Sequence, residues 1–152
     1  MAVPVAVTDF ILVRRMRNIA LIPIPSVTFS ATQLEGRTVY PGINEFTHQM
    51  AERLRGALLA NLECTAVKRV FKPYGSGFSA SAAAGRYVVT VSIDEEVLPA
   101  ARITILAEPR GKAARSWLSF EPRLKAAVET VFPDCKCQWM TVDEFIASGQ
   151  SA

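Results

Sequence analysis

Residues 86–94 read Arg86-Tyr87-Val88-Val89-Thr90-Val91-Ser92-Ile93-Asp94. Tyr87, Val89, Val91 and Ile93 point one way; Arg86, Thr90, Ser92 and Asp94 point the other, and only Val88 breaks the alternation. A period of two marks an extended strand. One apolar face and one polar face is the pattern of an antiparallel sheet covered on one side. Residues 101–107 repeat it, with Ile103 and Ile105 opposite Arg102 and Thr104. Glu95 to Ala100, which contains Pro99, joins the two strands as a hairpin. Such a sheet needs a helical layer over its apolar face.

Two segments supply that layer. Ile43, Phe46, Met50, Leu54, Ala57 and Leu58 recur at helical spacing and predict a helix over 43–61, with Gly42 as its N-cap and Glu45 in its first turn. Trp117, Phe120, Leu124, Ala127, Val128 and Val131 predict a second over 115–132, stopped by Pro133. Ser119 as N-cap would place Pro122 in the first turn, where a missing N–H is harmless. Thr141-Val142-Asp143-Glu144 is a capping box, with Met140 and Phe145 as its hydrophobic staple, so a short helix should follow.

The remaining strands are less regular. Val3–Val13 and Ile19–Ile24 are apolar and rich in β-branched residues, separated by the polar break 14–18. Glu63–Lys72 and Cys135–Met140 read as further strands. Residues 26–41 lack periodicity and read as an extended arm; 75–85, rich in Gly, Ser and Ala, read as a flexible loop. The expected fold is therefore α+β: one domain over 1–152, mainly an antiparallel sheet, with two main helices on one face. The element order is ββ-α-βββ-α-β-α.

The 152 residues are 50% hydrophobic and 20% charged, with a net charge of +3, which excludes disorder and coiled coil. About two-thirds of the surface of such a chain is buried on folding, so it needs no disulfide or metal staple. Three cysteines are an odd number for a disulfide framework and fit a reducing compartment. Nothing near Met1 reads as a signal peptide, and no apolar run approaches the ~20 residues of a membrane span. A soluble protein of the cytoplasm, or of a virion, is the expectation, with no membrane partner.

Candidate chemistry is sparse. Cys64, Cys135, Cys137 and His48 have the types of a zinc set, but the spacing matches no known finger. Cys135, Cys137 and Trp139 share one strand face, so both thiols are expected in the core, reduced and without metal. His48, the only histidine, falls on the wet side of its helix, where sequence offers it no catalytic partner. Residues 75–85 lack the Gly-Lys-Ser/Thr of a P-loop. Asp94-Glu95-Glu96 reads as a charged turn. No catalytic, cofactor or metal residue is assigned.

Basic residues form three groups: Arg14, Arg15, Arg17; Lys68, Arg69, Lys72; and Arg110, Lys112, Arg115. From residue 42 to 131 the order α-βββ-α resembles a double-stranded-RNA-binding domain, with Arg110, Lys112 and Arg115 just before the second helix. The histidine expected before that family's second strand is missing. The same order and length resemble small phage tail-terminator and head–tail completion proteins. That resemblance implies a structural subunit of a virion.

The favoured function is a non-enzymatic assembly or interaction subunit, a homo-oligomer or part of a larger complex. The arm carries more apolar residues than a solvated loop needs: Val27, Phe29, Leu34, Val39 and Tyr40. With Phe78 they form the candidate interface. Two alternatives remain: a small enzyme with a site assembled from scattered residues, and a nucleic-acid-binding module using Arg110, Lys112 and Arg115.

Overall fold

The computed structural model describes residues 18–59, 62–69, 75–82, 85–110 and 117–147. The strands are β1 (Asn18–Thr28), β2 (Thr32–Leu34), β3 (Arg37–Val39), β4 (Glu63–Cys64), β5 (Lys68–Arg69), β6 (Gly75–Ala82), β7 (Gly85–Ile93), β8 (Ala100–Arg110) and β9 (Gln138–Thr141). The helices are α1 (Ile43–Leu58), α2 (Trp117–Val131) and α3 (Val142–Ala147). The strand expected at Val3–Val13 lies outside the described residues.

The architecture is α+β. β4, β6, β7, β8, β1 and β9 lie side by side in that order, β5 also pairs with β6, and all these pairings are antiparallel. Tyr87, Val89, Val91 and Ile93 of β7 and Ile103 and Ile105 of β8 are buried on one face, as the alternation requires. α1 packs on β6, β7 and α2 over that face. Phe120 of α2 stacks on Tyr87, with centroids 4.0 Å apart and rings 4° from parallel. The two main helices thus cover the same side.

The unbroken apolar run Ile19-Ala20-Leu21-Ile22 has a cause visible only in three dimensions. β1 lies between β8 and β9, and both its faces are covered there. Ala20 and Ile22 join the main core, whereas Ile19 and Leu21 pack with Phe145 of α3 on the opposite side, against Leu106 and Met140. α3 begins as its capping box dictates. The Thr141 N–H donates to Glu144 Oε1 at 3.3 Å, and the Glu144 N–H donates to Thr141 Oγ1 at 3.1 Å.

Several expectations need correction. The small-residue segment at 75–85 is not a flexible loop where it is described: residues 75–82 form β6, paired along its length with β7. Backbone pairing and cover by α1 outweigh the poor strand propensity of Gly and Ser, and small side chains let helix and sheet approach closely. The arm at 26–41 is largely ordered into strands: β1 runs on to Thr28, and β2 and β3 form a separate two-stranded sheet. Of the strand expected over 63–72, the described part, 63–69, is broken into β4 and β5, and Thr65 between them makes its own bonds to Ser79. The last strand starts at Gln138, not Cys135. The buried face of α1 is rotated from the sequence stripe: Ile43, Thr47, Ala51, Leu54 and Leu58 are buried, while Phe46, Met50 and Ala57 sit half-buried at its margin. Pro122 lies inside α2 beyond its first turn, since the helix is already formed at Trp117.

Candidate interaction surfaces

The arm is anchored at both ends and free between them. Phe29 is 8% exposed, its N–H donates to the Pro99 carbonyl at 2.9 Å, and its ring meets Phe46 edge-on at 5.3 Å. Val27 and Tyr40 pack half-buried on the core, and the Tyr40 carbonyl accepts from the Ile43 N–H at the start of α1. Between these anchors every residue from Ser30 to Thr38 is exposed.

β2 and β3 pair Thr32 with Val39, Gln33 with Thr38 and Leu34 with Arg37. Glu35 and Gly36 form the loop, with φ of 52° and 75°. Left-handed backbone at both central positions is the turn whose twist matches a two-residue β-hairpin. Gly36 adopts it freely, while Glu35 is strained there. Gln33 Nε2 donates to Thr38 Oγ1 at 2.9 Å across the ladder. Beside this turn Leu34 stands 54% exposed. The sequence signal was present but weak: Glu-Gly is a poorer turn pair than Asn-Gly or Asp-Gly, and the flanking strands are three residues each.

The six interface candidates therefore divide. Leu34 is exposed. Val27, Val39 and Tyr40 are half-buried. Phe29 and Phe78 are removed from the contact set, because both are buried inside this chain; Phe78 is 4% exposed, on the face of β6 beneath the helices. Two further apolar side chains that the sequence did not single out are exposed: Leu59, just after α1, at 44%, and Ile146 of α3 at 53%.

The chemistry candidates are taken up structurally. His48 is exposed, with Nε2 3.8 Å from Glu52 one turn on. Asp94 caps the short 3-10 turn Glu95–Val97 by accepting from the Glu96 N–H, and it pairs with Arg102. Cys135 and Cys137 are half-buried free thiols packed against the core just before β9, rather than fully buried on a strand, and Cys64 at the end of β4 is half-buried too. Burial and the nearby Glu129 and Cys135 push the Cys137 thiol up to about 11; burial raises Cys64 too, partly offset by Arg55. A thiol held protonated is a poor nucleophile and a poor ligand. Among the described residues no group of three or more His, Cys, Asp or Glu side chains converges as a metal site. No described helix is long and apolar enough to cross a membrane.

Of the basic candidates, Arg110 is exposed at the end of β8; Lys112 and Arg115 lie outside the described residues. Directly opposite Arg110 across the ladder is Arg86, also exposed. Sequence reading placed Arg86 only on the wet face of a strand; its partner depends on the register between β7 and β8. Compared with known protein families, curated proteins and solved structures, the chain shows no match.

Proposed function

We propose that this chain is a non-enzymatic assembly subunit, acting as a homo-oligomer or within a larger complex, and that the β2–β3 hairpin is its contact element. One observation carries the reading: a two-stranded sheet, unconnected to the main sheet, is exposed from Thr32 to Thr38. An isolated two-stranded ribbon is marginal in water and gains stability when a further strand or an apolar surface covers it. Leu34 supplies the apolar contact, and the outer edges of β2 and β3 supply backbone groups that pair with no other described strand.

The main sheet offers no equal edge alongside the second half of β1. Among the described residues β9 covers β1 only from Asn18 to Leu21, and the edge beyond carries Pro23 and Pro25, which have no N–H to give a neighbour. The resemblance of the sequence to small phage tail-terminator and head–tail completion proteins would make a virion the setting, although five described strands, not the expected three, lie between the two main helices.

The test shortens the hairpin without touching its anchors. Replacing residues 33–38 by an Asn-Gly turn links Thr32 to Val39, which already face each other, and spares Phe29 and Tyr40. Light scattering should show the intact chain as an oligomer, or bound to its partner subunit, and the shortened chain as a folded monomer. A strictly monomeric intact chain that binds no subunit, or a shortened chain that still assembles, refutes the proposal.

A further inference from the structure

Arg86 and Arg110 are placed as a pair by the β7–β8 register. Directly opposite residues in an antiparallel ladder share a face and have Cβ atoms about 5 Å apart, and like charges there are destabilising. Three other cations meet acceptors. Arg55 Nε donates to the Thr65 carbonyl at 2.6 Å and its head lies 3.7 Å from Glu52. Arg102 pairs with Asp94, and Lys125 with Glu121 at 3.1 Å. No ion pair joins Arg86 or Arg110 to an acid among the described residues.

The acids nearby do not balance the pair. Glu108 lies one row inward on the same face, opposite Val88, and it makes an interaction of its own. Glu63 stands at the far end of the arginine row, with Ser81 between it and Arg86. Two strand spacings put it about 10 Å from Arg86. Beyond Arg110 the sequence adds Lys112 and Arg115 and no acid before Glu121.

We propose that Arg86 and Arg110 form a binding pair for a phosphate group. The register puts two exposed guanidinium-bearing side chains opposite each other at the end of the ladder, within reach of one anion. A carboxylate has two oxygens and is satisfied by one fork, whereas a phosphate has more and accepts from both. The Ser81 hydroxyl, next in the row, is a further donor on the same face. The pairing of two cations, unfavourable in the free chain, becomes favourable once an anion sits between them. This inference does not depend on the hairpin.

The experiment uses the full chain with Arg86→Gln, Arg110→Gln and the double variant. The probes are inorganic phosphate, a short DNA duplex, the matching RNA duplex, and polyglutamate. If the phosphate belongs to nucleic acid, the intact chain binds a duplex, and the double variant binds about tenfold or more weakly at low salt. The slope of log K against log salt then falls by about 0.9 for each lost contact. If it is a free phosphate, inorganic phosphate raises the Tm of the intact chain but not of the double variant, and the duplexes bind no better than polyglutamate. Either result supports the phosphate pair. The free chain gives a second readout: Arg110→Gln should raise Tm at low salt, and added salt should remove the difference. Equal binding by the intact chain and the double variant overturns the proposal. So does failure of every phosphate probe, or an Arg110→Gln variant that is less stable at low salt.

Discussion

Truncating Leu54 tests the helix-sheet layer on which the whole fold rests. Leu54 is fully buried on α1, in the cluster that holds Val89, Val91, Ile103, Leu124 and Val128. Leu54→Ala removes three carbons from that cluster, a transfer loss of about 2.4 kcal/mol at ~0.8 per methylene. The neighbours come from a sheet and a second helix, both held by their own hydrogen bonds, so the void closes only in part. The cavity term then brings the total to about 3–4 kcal/mol, within the range for buried leucines. Urea unfolding followed by circular dichroism measures it as a fall in midpoint at constant slope. A companion substitution tests which way α1 faces. Ala51 is fully buried and Met50 only half-buried. Ala51→Leu should therefore overpack the interface and cost about 1–3 kcal/mol. Met50→Ala should cost less than Leu54→Ala. A Leu54→Ala loss under about 0.5 kcal/mol, with the slope unchanged, would show that the stripe faces solvent or a partner, and the reasoning would fail.

Four further outcomes follow from particular contacts. Gly36→Ala puts a side chain at φ 75° in the hairpin turn, a strain of roughly 1 kcal/mol. Hydrogen exchange across residues 32–39 should quicken, whereas Glu35→Asn should slow it; the reverse order would refute the turn assignment. Ser76 is buried with an Oγ that has no hydrogen-bond partner among the described residues, so Ser76→Ala should be neutral or stabilising by up to about 1 kcal/mol, and a clear destabilisation would reveal a bond. Thr141→Ala breaks the capping box and should cost about 1 kcal/mol, with a double-mutant cycle to Glu144→Ala showing coupling. Cys137, raised from 9.0 to about 11, should react slowly with a thiol reagent at neutral pH. The unfolded chain releases that proton first, so the Cys137 contribution to stability is complete below about pH 9 and declines as pH rises toward 11. Stability flat across that window in the wild type but sloping in Cys137→Ala would contradict the assignment.

Periodicity and local chemistry by themselves determined the helices α1 and α2, the alternating strands β7 and β8 with their hairpin, and the capping box that starts α3. Each depends on residues within a few positions of one another, and local spacing records such interactions directly. The α+β layering followed from them, because an alternating sheet must bury one face. What only the tertiary structure decided depends on partners distant in sequence. The Gly- and Ser-rich 75–82 became a strand because β7 pairs with it and α1 covers it. The face of α1 turned toward Ala51 because that side chain suits close contact with the layer beneath. Residues 19–22 are apolar throughout because a second, smaller cluster forms behind the sheet. The candidate sites divide in the same way. The apolar arm was legible from its composition, but which side chains anchor it and which stand free depended on Phe46 and Pro99, both far along the chain from Leu34. Arg110 was legible as a basic residue near a helix, while Arg86 joined it only through register. A strand's sequence states which residues share its face; the neighbouring strand decides which residue stands opposite each of them.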